Sequence, residues 1–320
     1  MSSDAGNPIS SGGATSADGV QHTAAVPVAA AQSAVVGSPA AVRGAVQKTF
    51  VAAKVLCGFT DEAHRTQLTG EYLADQDAQT QQQQLEAAAA ARTFVSTLLP
   101  FQPTEIVRRV ILGTHVDLLR ADPLFQRTLG QRQNQFAYVD LSQLIALQAW
   151  IEPRHDRIPT AEDALLAYAL PTAWDVPAEV TFIPPAGPIQ IMTSSPAMQG
   201  VQMEFDAATG TVRLGPPKHL NLIQVIRVAG RSYLINGYHR VTDAIAANVT
   251  ELPALVREGV GPMDIPNLGQ GAFNPQFLMM MPRPPLVRDF YSAAAIDTRV
   301  RERRYGVLIE VIPKPLVIGI

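Results

Sequence analysis

The chain has 320 residues, of which 47% are hydrophobic and 17% are charged, and its formal net charge is -3. This composition is typical of an ordinary globular protein, and the slight negative charge excludes a protein coated in positive charge for non-specific nucleic-acid binding. The single cysteine, Cys57, excludes an internal disulfide framework and any multi-cysteine metal site. Neither a long apolar run nor a basic leader followed by an apolar segment occurs, so we expect a cytoplasmic protein with no membrane span.

The N-terminal part of the chain divides into two predicted segments. Residues 1–42 are rich in Ser, Gly, Ala and Pro, which predicts a disordered arm that acts either as a passive tail or as a docking peptide. Residues 43–134 are predicted to be helical. Their main helix begins after the N-cap Thr60, and Gly70 is expected to break or kink it.

Two further helical patterns occur in the same segment. The stretch "QQQQLEAAAAA" is polar and then small, which predicts a helix that faces solvent or a protein partner. In "TEIVRRVILGTHVDLLRADPLF", apolar residues recur at helical spacing from Ile106 to Ile111, and Gly113 is the expected stop.

The rest of the chain has more strand character. Residues 135–260 form the predicted core, in which "FAYVDLSQLIAL" is a strand followed by a short helix, and residues 158–218 are an insertion with one helix and four strands. The strands "LIQVIRV" and "SYLIN" follow, joined by a turn at Ala229-Gly230. Residues 261–320 are a β-containing extension packed on the core, in which the proline-rich "NPQFLMMMPRPPL" is expected to be an extended connector. The predicted fold class is α+β.

One part of the chain, a strand followed by a glycine and a helix, places two basic side chains at the start of the helix. In "YLINGYHRVTDAIAANVTELPALV", Gly237 supplies the turn, and His239 and Arg240 follow it. The positive end of the helix dipole disfavours cations, whereas exposed N–H groups and an arginine together favour a phosphate. The alternative is that Arg240 pairs with a carboxylate such as Asp243 while His239 is an ordinary surface residue.

This stretch resembles the nucleotide-binding core of the ParB and sulfiredoxin-like superfamily, whose signature is a strand, then Gly-x-His/Arg-Arg, then an alanine-rich helix and a strand. A second stretch, "YVDLSQLIALQAWIEPRHDRI", resembles the first box of that superfamily. The resemblance implies a nucleotide or another phosphorylated small molecule at Gly237, Tyr238, His239 and Arg240. Arg154 either adds a phosphate contact or pairs with nearby carboxylates.

Departures from the family pattern narrow the function. Tyr238 stands where sulfiredoxins have their reactive cysteine, so sulfiredoxin chemistry is not expected. No helical DNA-binding segment follows the core, so DNA is not an expected partner. Gln148 stands where the superfamily's free serine kinases have a carboxylate base, so phosphotransfer or nucleotide hydrolysis would need Glu152 or Asp156 instead, with Mg²⁺ bridging the phosphates.

A different class of function stays open at this point. In this alternative, the chain is a non-catalytic interaction protein that keeps the fold of the superfamily and binds a partner through the arm or the Gln/Ala-rich helix. Nucleotide then acts as a switch or is not bound at all. The histidines are scattered without the spacing of a helical metal site, and neither a P-loop nor a nucleophile elbow occurs, so zinc and P-loop chemistry are not expected.

Overall fold

The computed structural model describes residues 50–130, 132–154, 156–172, 179–182, 189–193, 202–206, 211–215, 220–268, 271–301 and 305–309. These residues all belong to one structural unit, Gln47–Ile320. The predicted arm, 1–42, lies outside them.

The first part of this unit alternates strands and helices. Its elements are β1 (Phe50–Val55), α1 (Glu62–Ala74), α2 (Ala78–Ser96), β2 (Val107–Val110), α3 (Thr114–Ala121) and α4 (Pro123–Thr128). The four helices agree with the helical pattern of the sequence. The two strands do not, so the prediction that 43–134 is helical throughout is wrong at β1 and β2.

The central part contains most of the strands. Its elements are β3 (Asn134–Asp140), β4 (Leu144–Ala146), β5 (Trp150–Ile151), α5 (Glu162–Ala169), β6 (Glu179–Phe182), β7 (Ile189–Thr193), β8 (Gln202–Asp206), β9 (Thr211–Gly215), β10 (Gln224–Val228), β11 (Arg231–Asn236), α6 (Tyr238–Ala246) and β12 (Glu251–Glu258). A short 3-10 helix, Leu141–Gln143, separates β3 from β4. The predicted strands, the helix in the insertion and the fold class α+β are confirmed.

The last part returns to the sheets. Its elements are a 3-10 helix (Pro262–Asp264), α7 (Pro275–Met280), a second 3-10 helix (Val287–Tyr291), β13 (Ile296–Arg301) and β14 (Tyr305–Ile309). Backbone hydrogen bonds such as that from the Ala146 N–H to Pro285 O, at 2.9 Å, attach this part to the central strands.

The main sheet has six strands in the order β2-β3-β12-β10-β11-β4. β10 runs parallel to β12 and β11 runs parallel to β4, while the remaining pairs are antiparallel. β11 ends at Asn236, which is level with Gln224 at the start of β10. The helix α6 therefore begins at the end of the sheet where β10 starts. The C-terminal end of β12 lies at the opposite end of the sheet. Smaller sheets have the orders β13-β1-β5, β14-β7-β6 and β8-β9.

Three local predictions are wrong for identifiable reasons. The residues around Ile106–Ile111 form edge strand β2 on β3 and not a helix, because their β-branched side chains suit a strand at least as well as a helix. The first helix is capped by Asp61, whose carboxylate accepts from the His64 N–H at 2.7 Å, and it continues through Gly70. The expected connector contains α7, because Pro275 occupies the first helical turn, where no N–H is needed, and Asn274 caps it.

Two other local predictions are confirmed. Ala229 and Gly230, between β10 and β11, have φ values of 51° and 75°, as a tight hairpin turn requires. Asn248, which follows α6, has a φ of 59° in the left-handed region.

Candidate functional site

The glycine turn before α6 has a structural requirement of its own. Gly237 has a φ of 92° and is the N-cap residue of α6. A Cβ at this position would lie 2.7 Å from Ile223 Cγ1 and 3.1 Å from Ile223 Cα. Only glycine fits both the backbone conformation and the close packing, whether or not a ligand binds there.

Tyr238 lies in the core and not on the surface. Its side chain is 4% exposed, and its hydroxyl accepts from Leu147 N–H at 2.6 Å and Gln148 N–H at 3.2 Å while donating to Leu234 O at 2.8 Å. Burial raises the pKa of this phenol well above its ordinary value. The ring therefore joins α6 to the residues after β4, and the predicted ligand role of Tyr238 is restricted to its backbone N–H.

His239 is anchored by the segment after β5. Its Nδ1 lies 2.9 Å from Glu152 O, and because a carbonyl oxygen only accepts, Nδ1 carries the proton and Nε2 has the free lone pair. Burial and then the nearby charge of Arg154 lower the pKa of the imidazole below its ordinary value. His239 is therefore neutral near pH 7, and the expected pair of cations at this helix start is reduced to one.

Arg240 contacts the end of another helix. Its Nη1 donates to Tyr168 O at 3.0 Å and Ala169 O at 3.1 Å, and its Nη2 donates to Asn221 Oδ1 at 3.0 Å. Burial lowers its pKa to about 10, which still leaves it charged near pH 7. The carbonyl groups belong to the C-terminal end of α5, where the helix dipole favours a cation. These neutral oxygens, and not an ion pair with Asp243, therefore hold the guanidinium of Arg240.

The segment after β5 lies against α6 and carries the other predicted residues. Arg154 is exposed, but it is close enough for its charge to act on His239. Glu152 is half-buried and holds His239 through its backbone carbonyl. The Asp156 N–H donates to Asp243 Oδ2 at 3.2 Å, and Asp243 is 2% exposed. The structure thus brings Glu152 and Arg154 to the first turn of α6.

Sequence reasoning missed two tyrosines that share this region. Burial and then the negative charge of Asp243 raise the pKa of both Tyr168 and Tyr291, to about 12 for Tyr168. The Tyr168 hydroxyl is buried and has no hydrogen-bond partner within the described ranges. The two residues come from α5 and from a 3-10 helix near the C-terminus, so no local sequence pattern links them to α6.

The described residues contain no group of three or more His, Cys, Asp or Glu side chains that would hold a metal ion.

No family model, no curated protein and no solved structure matches this chain. The likeness to the ParB and sulfiredoxin-like superfamily stays a prediction that rests on the two sequence stretches. None of the helices in the described ranges is long and apolar enough to cross a membrane.

Proposed function

We propose that this chain binds a nucleotide or another phosphorylated small molecule, with a phosphate group at the first turn of α6. The observation that carries the proposal is the helix start itself: α6 begins at a glycine N-cap that provides no side-chain acceptor, beside one half-buried and one exposed arginine. The N–H groups of the first turn point along the helix axis, where a phosphate oxygen is the matching acceptor.

Arg240 supports the proposal as a fixed charge. Its three hydrogen bonds use three of the five N–H groups of a guanidinium and hold it rigidly next to the turn. Because its neighbours are neutral oxygens, its positive charge is not cancelled by an ion pair with them. A bound phosphate would therefore gain an oriented cation without the entropic cost of ordering it.

His239 and Arg154 have different parts in the proposal. Arg154 is exposed and free to turn toward a phosphate. The Nε2 of His239 accepts a hydrogen bond from a ligand hydroxyl while the imidazole is neutral. A phosphate close to the ring would raise the pKa of His239 again, so ligand binding is expected to be coupled to proton uptake by the imidazole.

The affinity is tested by isothermal titration of the full chain with ATP, ADP and GTP in the presence of Mg²⁺. Arg154→Gln removes one exposed charge and is expected to weaken binding about tenfold. Arg299→Gln, which removes an exposed arginine on β13, is the matched control and is expected to leave binding unchanged. Equal affinities for the wild type and Arg154→Gln, or no binding of any nucleotide, would contradict the proposal.

Turnover is a separate question from binding. If the chain is a phosphotransferase or a nucleotide hydrolase, Glu152 is the proposed base, since it is the carboxylate next to His239 along the segment after β5. Phosphate release that Glu152→Gln abolishes, while nucleotide affinity is kept, would assign an enzyme. Binding without release would assign a non-catalytic nucleotide-binding protein.

A second candidate, an interaction protein, is favoured by a different surface. The 3-10 helix Pro262–Asp264 and α7 contact each other, and large apolar side chains are exposed on both elements and just before the first; they are Val260, Met263, Phe277 and Met280. The predicted partner helix, α2, packs Ala88 and Ala91 against the rest of the fold and donates from Gln84 Nε2 to Asp297 O at 3.2 Å. The rest of α2 is largely exposed and available to a partner. Loss of partner binding in Met263→Ser with nucleotide affinity unchanged would support this candidate.

A further inference from the structure

A second group of arginines lies at the other end of the main sheet. Arg257, in β12, is opposite Asn134 of β3 on one side and Ile226 of β10 on the other. Arg127 and Arg132, from the end of α4 and the following loop, line an open hollow of about 600 Å³ together with Gln126 and Thr128. We name Arg127, Arg132 and Arg257 the β12-end arginines.

Arg257 is the unusual member of this group. It is only 8% exposed, and its Nε has no hydrogen-bond partner in the part of the chain that the structure describes. Within that part no ion pair includes it either. Burying a charged group without partners is costly, and native proteins normally avoid it. Of its nitrogens only Nε is both buried and unpaired in the described part of the chain, and such an atom needs a water molecule or a ligand as its partner.

The surroundings of Arg257 do not neutralise its charge. Burial lowers the pKa of Arg257, and the charge of Arg132 lowers it further. One carboxylate, Asp264, is near enough to act on both arginines. It is held by the N–H groups of Val260 at 2.8 Å and Gly261 at 3.1 Å. The neighbouring Glu258 pairs with Arg227 at 3.4 Å, so Asp264 is the one carboxylate whose charge acts on both Arg132 and Arg257 among the described residues.

Asn134 offers a smaller alternative explanation. Its Oδ1 is also buried without a partner in the described ranges, and it belongs to the residue directly opposite Arg257. A water molecule or a small side-chain rotation would join Oδ1 to Arg257 Nε. That contact would satisfy one of the five N–H groups of the guanidinium, but it would leave the positive charge of Arg257 without an anion.

The geometry points to an oxyanion site at the β12-end arginines, with a phosphate group as the ligand that suits the buried Arg257 and the two arginines of the hollow. Arginine binds phosphate oxygens in a bidentate manner, and its planar fork gives both charge and direction. Arg257 would supply the buried contact at the base of the site, and Arg127 and Arg132 would close over the phosphate from the open hollow.

Two sources could provide this phosphate, and the neighbouring loop bears on the choice. Val260 is 100% exposed and Met263 is 88% exposed, and both lie in the same short stretch as Asp264. Exposed apolar side chains next to a basic cluster are typical of contacts with an anionic lipid surface. The ligand is thus either a free phosphate compound or the phosphate headgroup of a lipid.

The test uses the full chain and two probes. Inorganic pyrophosphate is titrated by calorimetry at low salt, and vesicles that contain phosphatidic acid are used in a sedimentation assay. Arg132→Gln, which changes an exposed residue, and Arg257→Met, which keeps the apolar stem, are both expected to weaken binding at least about tenfold. Arg299→Gln is again the control, and melting curves confirm that each variant is folded.

The outcomes distinguish the two sources of phosphate, and they also distinguish binding at the β12-end arginines from binding at α6. If the wild type binds pyrophosphate and both variants lose that binding, the ligand is a free phosphate compound. If the wild type binds only the vesicles and both variants lose that binding, the ligand is a lipid headgroup. Arg154→Gln is expected to leave either effect unchanged. Absence of binding to both probes, or binding that Arg132→Gln and Arg257→Met retain at wild-type strength, would overturn the proposal.

Discussion

A half-buried arginine on α6 and a buried arginine in β12, near opposite ends of the main sheet, have different environments. Arg240 donates to three oxygen atoms from the end of α5 and the segment before β10, whereas Arg257 has no hydrogen bond or ion pair in the described part of the chain. The first is a structural tie that also supplies a charge to the turn before α6. The second is a cost to the folded state. Burial alone therefore does not show what an arginine does, and its hydrogen-bond partners do.

The largest expected effect concerns the turn beside Arg240. Gly237→Ala should lower the free energy of unfolding by about 3 kcal/mol, because the new Cβ meets Ile223 and the left-handed backbone disfavours alanine. Urea denaturation measures the change. Gly230→Ala is the matched control: Gly230 has a φ of 75° and open space around it, so only the conformational cost of about 1 kcal/mol should appear. Equal losses in the two variants would show that Ile223 does not restrict this turn.

The next effect tests how α6 is held on the sheet. Tyr238→Phe should cost about 2 kcal/mol, because it leaves the buried N–H groups of Leu147 and Gln148 without their acceptor. Tyr72→Phe removes the hydroxyl of a half-buried ring on α1 and should cost much less. Denaturation curves that coincide for Tyr238→Phe and the wild type would mean that the hydroxyl is not a structural contact.

The smallest effect is the pH dependence contributed by His239. Its folded-state pKa lies below the unfolded value of about 6.5, so the unfolded chain takes up the proton first. The stability linked to this group is complete above about pH 6.5 and is lost as the pH falls below it. His239→Gln should therefore flatten the decline in unfolding free energy between about pH 7 and pH 5.

His64 provides the comparison for that experiment, because burial also lowers its pKa and gives a decline of the same sign. His64→Gln should remove its own part of the decline and leave that of His239. A pH profile that His239→Gln leaves unchanged would mean that the imidazole is not held in its neutral form.

The sequence predicted the local order of elements around α6 well. The alternation in β10 and β11, the glycine turn and the helix stop at Asn248 all follow from residue types that act over a few positions. It failed at β2, because the same β-branched residues satisfy either a helix or an edge strand and the choice depends on pairing with β3. It also failed at α7, where a proline starts a helix and does not prevent one.

The site was harder to predict than the fold. The approach of Glu152 and Arg154 to the first turn of α6 agrees with the two stretches chosen from the sequence. The contacts of Arg240 with Tyr168, Ala169 and Asn221 could not be foreseen, since their partners lie 19 to 72 positions away along the chain. The neutral state of His239 also depends on burial and on Arg154, which no local pattern encodes.

The most direct test of the contrast between the two arginines is the unfolding free energy of Arg240→Met and Arg257→Met, measured side by side in buffer free of phosphate. We expect Arg240→Met to lose about 2 kcal/mol, since buried carbonyl groups lose their donors. We expect Arg257→Met to lose nothing or to gain about 1 kcal/mol, since an uncompensated buried charge is replaced by a side chain of similar shape. A loss of about 2 kcal/mol in both variants would contradict the account, because Arg257 would then be a structural residue like Arg240.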